Sequence, residues 1–440
     1  MLTDYSRDVL PNGLRVVGVE RPELHSFVCA VLVHAGPRFE TTRQTGLTHF
    51  LEHMLMQGSS NFPTSNEIMR AVEDLGGVLD ASTALEYMEV SVAVHRKHWR
   101  RGMEVLSDVV LRPLLAEDEI EQEKNIVAQE IAEHRDRSGR NISPEELAYS
   151  LLFKEQLDEA GSRGSVELLS EFDPEMVSSQ YQRFFAPNNM VICLAGSFDG
   201  DEVCEEIREQ FGQREPADDL PEPVQSEVKN HRTRCVYRQT ENLPVIQSVL
   251  SHRGYALRDS RFDATRALCE ILGGGLSSRL FSRVRDEYGL VYQIQSYLQG
   301  FSDTGAVNTM LHVEPDNLLD AMSATLDVIG QMTDEGVQEQ ELERYKETVR
   351  CGIEIMCDRP ERLAEWFGKQ ELLLESEDIK TPDEHIERQE SLTLDHLYEV
   401  GTELFDPDSA NLAVVGPFGE EHRARLRERF PAEEAEGLSD

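Results

Sequence analysis

His49, Glu52 and His53 stand in the order H-x-x-E-H, a spacing suited to metal chemistry. Residues four apart on an α-helix lie one above the other, so a helix here would offer two imidazoles to a single ion. Glu52 would stand beside them, close enough to hold a water on that ion. The helix is expected on separate grounds. Leu47, Phe50, Leu51, Met54 and Leu55 recur at helical spacing, and Gly58 followed by Ser59, Ser60 and Asn61 ends the run. Zinc in a catalytic site commonly takes three protein ligands and leaves a fourth position for water. The acidic helical segment from Ile120 to Ile131 can supply the third. Ile120, Val127 and Ile131 mark its buried side, while Glu123 and Glu130, seven residues apart, share another. One carboxylate of such a pair can bind metal while the other orients a ligand or a water. Spacing alone leaves Glu121, Glu123, Glu130 and Glu133 open as the third ligand.

The elements that must position these residues occur twice. Phe185, Pro187, Gly196 and Phe198 recur as Phe405, Pro407, Gly416 and Phe418, each displaced by 220 residues. Apolar runs at 190–195 and 411–415 read as buried strands, each followed by a charged helix, at 201–211 and 420–430. A displacement of half the chain length means two similar domains. Strands are expected at 14–19, 27–34 and 87–94, and helices at 65–75, 99–111 and 117–137, so the class is α+β. Prolines 216, 221 and 223 among acidic residues mark a linker over 214–233, which separates domains at 1–213 and 234–440. The second copy has lost the metal chemistry. Matching Ser59-Ser60 with Ser277-Ser278 puts Ala267 at the place of His49 and Ile271 at that of His53. Gly273-Gly274-Gly275 lacks the Gly-Lys-Ser/Thr that a phosphate loop requires.

Composition narrows the function classes. The formal net charge is −40, and of 43 basic residues only seven are lysine. So acidic and lysine-poor a surface argues against nucleic acid and anionic membranes as partners. It suits high salt, where screening relieves self-repulsion; a halophilic source is the expectation and a generically acidic enzyme the alternative. Seven cysteines without a C-x-x-C pair read as reduced thiols of a cytoplasmic protein. The first residues lack the basic and apolar regions of a secretory signal, and no apolar run approaches 18 residues.

The first half resembles the pitrilysin/insulinase family of zinc metallopeptidases, and in size and layout mitochondrial processing peptidase and its short bacterial relatives. The matching stretches run in order: Leu10-Pro11-Asn12-Gly13-Leu14-Arg15-Val16-Val17, then Ala35 to Glu40, Gly46 to Met54, and Glu123 through Glu130. The resemblance implies one zinc ion per chain held by His49, His53 and Glu130, with Glu52 as general base and Glu123 as a supporting acid. Arg285 and Tyr292 match an arginine and a tyrosine that in the family reach the scissile peptide and help stabilise its oxyanion. The family also implies an exposed strand over 77–83, where an extended peptide adds to the sheet edge at Asp80, Ala81 and Ser82. Asn-Ala is usual there; Asp80-Ala81 departs from it in the side chain and keeps the backbone contact at Ala81.

These readings lead to a zinc-dependent endopeptidase that cleaves unfolded peptides. Each domain is expected to be a largely antiparallel sheet packed with helices, and the two together half of a clamshell chamber. Some relatives divide the metal site and the Arg/Tyr pair between two different chains. This chain carries both sets, which points to a homodimer. The alternative function is a catalytically silent scaffold or a peptide-binding subunit of the same fold.

Overall fold

A computed structural model of the chain describes residues 4–153, 161–224, 234–429 and 433–434. The chain divides into two compact units, each built on a six-stranded sheet with helices packed on it. In the first unit the strands are β1 (Ser6–Val9), β2 (Arg15–Glu20), β3 (Ser26–Val33), β4 (Val78–Thr83), β5 (Met88–His95) and β6 (Met190–Gly196). Their order is β1-β2-β6-β3-β5-β4, antiparallel except for the β2–β6 pair. The central strands β3 and β6 are apolar almost throughout because both faces of the sheet are covered there. On β5 only every second residue (Met88, Val90, Val92, Val94) is buried, the pattern of a strand with one face in the core. β4 lies at the edge and, among the described residues, pairs only with β5, from Val78 opposite Ala93 to Thr83 opposite Met88.

The second unit repeats the plan with β7 (Arg234–Gln239), β8 (Ile246–Gly254), β9 (Gln293–Gly300), β10 (Gly305–Val313), β11 (Asn411–Gly416) and β12 (Glu433–Glu434). The order is β12-β7-β11-β8-β10-β9. A 3-10 turn at Pro187–Asn189 leads into β6, and one at Pro407–Ser409 leads into β11, the same 220-residue displacement seen in the sequence. The expected α+β class and the duplication both hold.

The boundaries differ from those at 1–213 and 234–440. Residues 351–385 belong to the first unit, and residues 132–161 to the second. Each loan centres on one helix. Pro360–Leu373 packs on β2, β3 and β6, and Pro144–Leu152 packs on β7, β8 and β11. The physical reason lies in strand alternation. Cys29, Val31 and Val33 face the core shared with the H-x-x-E-H helix, whereas Leu32 points to the other face and needs separate cover. Gly368 supplies the close approach, since a Cβ there would stand 2.7 Å from Leu32 Cδ1. Arg7 grips Glu371 at 2.8–3.0 Å and Tyr5 stacks on Phe367 at 4.7 Å, pinning the helix to the first unit. Under Pro144–Leu152, the residues Leu147, Ala148 and Leu151 meet Val236, Val249, Ala413 and Val415.

The expected linker begins later than residue 214. Arg214 Nη1 donates to the Tyr181 hydroxyl at 2.8 Å, Ala217 N to Asn188 Oδ1 at 3.0 Å, and Val224 N to Arg38 O at 2.9 Å. Residues 214–224 therefore run along the first unit, and 225–233 lie outside the described residues. The helix expected at 117–137 stops at Glu133, where Asp136 accepts from Ser138 N and Arg140 N to make a turn. No helix among the described residues is long and apolar enough to cross a membrane.

Candidate metal centre

The H-x-x-E-H residues lie on the helix Leu47–Leu55, which buries Leu47, Phe50, Leu51, Met54 and Leu55 and turns His49, Glu52 and His53 to the opposite side. Its first turn is anchored from outside. The Glu40 carboxylate accepts from Gly46 N at 2.8 Å and from Thr48 N at 2.6 Å, satisfying donors that no side chain of the helix caps. Gly46 has φ +90, and a Cβ there would lie 2.4 Å from Arg163 O, so glycine is required. The second helix, Glu117–Glu133, buries Ile120, Glu123, Val127 and Ile131 and places Glu130 one face round, less buried than Glu123.

Three donors converge. Glu130 Oε2 lies 3.6 Å from His49 Nε2 and 3.5 Å from His53 Nε2, and the ligand atoms of all three residues fall within 4.8 Å of one another. Donors held about 2.0–2.1 Å from a tetrahedral zinc ion stand roughly 3.4 Å apart, close to the two separations from Glu130, so the donor types and their grouping suit that ion. The remaining ring nitrogen of His53, Nδ1, meets Glu123 Oε1 at 2.8 Å, which directs Nε2 towards the group. Glu123 Oε2 in turn accepts from Gln57 Nε2 at 2.7 Å. Glu123 is therefore the carboxylate that orients a histidine, and Glu130 the one in the donor set; the choice that spacing left open is made by the helix packing.

The electrostatics separate the two imidazoles. Burial, followed by the charges of His53 and Arg163, pulls His49 down to about 3, so its ring is neutral, the form that binds a metal. Burial also acts to lower His53, but the Glu123 hydrogen bond and the charges of Glu130 and Glu52 outweigh it and raise the group. Glu52 is raised, first by burial and then by the charges of Glu130 and Asp80, against the opposing Thr83 hydrogen bond and His53 charge. That hydrogen bond runs from Thr83 Oγ1 to Glu52 Oε2 at 2.8 Å. Thr83 and Gln57 carry no signal of their own in a single sequence, because each meets its partner only through tertiary packing.

The edge strand is where the sequence places it, with one difference. Leu79 and Ala81 pack with the core, and Thr83, on the same face, reaches Glu52. Asp80 and Ser82 alternate to the other face. Asp80 lines a cleft of about 340 Å³ with Glu89, Ser91, Glu361, Arg362 and Glu365. The side chains of Asp80 and Ser82 thus do not join the metal group; the register of β4 sends them away from it.

Arg285 and Tyr292 lie in the second unit. Arg285 sits on a π-helical stretch, Phe281–Glu287, with its guanidinium 4.6 Å over the Phe281 ring. Tyr292 is 78% exposed, and the two line a cavity of about 350 Å³ beside Gly273, Gly274 and Gly275. Ala267 and Ile271 are buried on the helix Phe262–Gly273, so the places matched to His49 and His53 hold core side chains.

Comparison with known proteins gives the family. Residues 15–160 match the profile described as Insulinase (Peptidase family M16), and residues 171–349 the one described as Peptidase M16 inactive domain. An uncharacterized zinc protease of Mycobacterium tuberculosis is 30% identical over 423 residues, covering 94% of this chain and 93% of that protein. The chain belongs to peptidase family M16. Another relative of this M16 protein, the uncharacterized zinc protease YmxG of Bacillus subtilis, is 28% identical over 93% of this chain and 97% of its own. The crystal structure of a protease from Helicobacter pylori superposes with a TM-score of 0.86 at 20% identity, covering 95% of this chain and all of that one. A peptidase M16 inactive domain from Pseudomonas fluorescens gives 0.83 at 16% identity over 94% and 98%. At such identities these two likenesses are likenesses of fold.

Proposed function

We propose that this M16 protein is a zinc-dependent endopeptidase acting on extended, unfolded peptides. The observation that carries the reading is the group His49, His53 and Glu130, with the half-buried Glu52 carboxylate on the same helical face. Three protein donors are the number of a catalytic zinc site, whereas a structural site is normally closed by four. Zinc bound there supplies a Lewis acid that polarises the scissile carbonyl and makes water a better nucleophile. Glu52 takes the proton of the attacking water and passes it to the leaving amine. Glu123 holds the His53 ring through Nδ1. The free edge of β4 offers its backbone to an extended peptide near Ala81, a mode that adds hydrogen bonds with little demand on sequence.

The reading extends to Arg285 and Tyr292 as binders of the substrate carbonyl and its oxyanion, supported by the exposure of Tyr292 and the cavity that both line. It also takes two chains to close a clamshell chamber, giving a homodimer with two equivalent sites. The seven free thiols support a cytoplasmic setting, and the net charge of −40 supports a salt-rich one.

The test is metal analysis and hydrolysis of an unstructured peptide in low and molar salt. About one zinc per chain is expected from the three-ligand rule, with activity lost to a chelator and restored by zinc. Glu52→Gln should keep zinc and lower turnover by roughly 10²–10⁴-fold, the usual cost of a lost general base. Full zinc occupancy without hydrolysis at either salt would favour the silent scaffold.

A further inference from the structure

We propose that Thr83 is a positioning residue for the Glu52 carboxylate, tying the general base to the strand on which a peptide docks; this rests on the zinc-peptidase reading above. Thr83 is the last residue of β4, and its hydroxyl donates to Glu52 Oε2 at 2.8 Å. With Oε2 held, Oε1 is the oxygen left to receive the proton of water.

The hydroxyl can hold Glu52 only if Thr83 is itself held, and its surroundings are unusually stiff. The chain turns directly after it, with Ala84 N donating to Tyr87 O at 2.8 Å. Within that turn Glu86 is buried and paired with Arg38, which is buried as well. Arg38 N also donates to Leu85 O at 3.1 Å. Gly36 lies so close to the turn that a Cβ would come within 2.4 Å of Leu85 O. Breaking a buried pair such as Arg38–Glu86 leaves an uncompensated charge, so the turn has one favoured geometry.

Glu52, by contrast, is a half-buried side chain with several rotatable bonds. A misplacement of about 1 Å in a catalytic group can cost 10²-fold in rate. The Thr83 bond removes that freedom. It also makes the distance between docked peptide and base a property of one rigid hairpin, instead of the separate motions of a strand and a helix.

Thr83→Val keeps the shape and removes the hydroxyl; Thr83→Ser keeps the hydroxyl. The expected result for Thr83→Val is a kcat lower by roughly 10–100-fold with KM within about twofold and zinc content unchanged. Thr83→Ser should recover most of the rate. In zinc-free protein, where no turnover is involved, the Tm shifts of Thr83→Val and Glu52→Ala should be non-additive, because the two substitutions remove one bond. The proposal is overturned by wild-type kcat in Thr83→Val, by Thr83→Ser as slow as Thr83→Val, or by additive Tm shifts. A wild-type protein without chelator-sensitive hydrolysis would instead overturn the peptidase reading, and the zinc-free Tm cycle would still decide the Thr83–Glu52 bond.

Discussion

His49 and His53 are held unequally. His53 has Glu123 behind it and Gln57 behind Glu123, whereas His49 Nδ1 is buried with no hydrogen-bond partner among the described residues. Orientation of the pair therefore depends on the His53 side. Partners that orient metal ligands typically contribute 10–100-fold to metal affinity. Gln57→Leu should accordingly weaken zinc binding by about that factor, measured by titration against a competing chelator, with little change in Tm of the zinc-free protein. Unchanged affinity would mean that Glu123 is fixed by helix packing alone. His49, Glu52 and His53 were legible in the sequence because one helix carries all three, and helical spacing is a local property. Gln57 and Thr83 were not, because their partners lie 66 and 31 residues away along the chain. Asp80 was read for its place in the strand, but the face a strand residue occupies depends on its register with β5, which one sequence does not contain.

The H-x-x-E-H helix shows the same dependence one level up. It is nine residues long, begins at a glycine with no capping side chain, and gains its cap from Glu40 six residues before Gly46. Each buried helix-terminal donor left without a partner costs about 1–3 kcal/mol. Glu40→Ala should lower the Tm and also loosen zinc, since His49 sits in the first turn that Glu40 holds. Thermal unfolding with and without zinc checks this, and a variant that loses neither would show that water replaces the carboxylate. Most elements were legible from periodicity; Trp99–Leu111 matches its expected bounds and the strands lie within one residue of theirs. The destination of Pro144–Leu152 and Pro360–Leu373 was not. An apolar stripe says that a helix needs a surface, and two similar sheets offer equivalent ones.

Across the whole molecule, acidity acts first through buried histidines. Burial, with the charges of Arg15 and Arg38, lowers His34 to about 4, and burial lowers His252 to about 4 against the charge of Asp406. An unfolded chain binds a proton at such a residue near pH 6.5, which the folded protein does not do until about pH 4. Between those values the unfolded state holds more protons, so stability is present above about pH 6.5 and is lost as pH falls towards 4. Each histidine contributes up to roughly 3 kcal/mol to that loss. Urea midpoints in constant molar salt should fall from pH 7.5 to pH 5, and His252→Leu should flatten the slope. A midpoint independent of pH in this interval would remove these histidines as the cause.

The exchange of helices has a consequence for synthesis. The last strand of the first sheet, β6, leaves the ribosome about 160 residues ahead of the helix that covers its second face. At about 5–20 residues per second that is a delay of roughly 10–30 s, with the apolar side of β3 and β6 bare to water. The second unit has the opposite schedule: its covering helix is made first and waits for β11, some 260 residues later. Neither half can therefore mature as an independent module on the nascent chain. The first is completed only after Leu373 and the second only after Gly416, and a ribosome that stalls before residue 360 releases a sticky fragment, a natural client for chaperones and proteases.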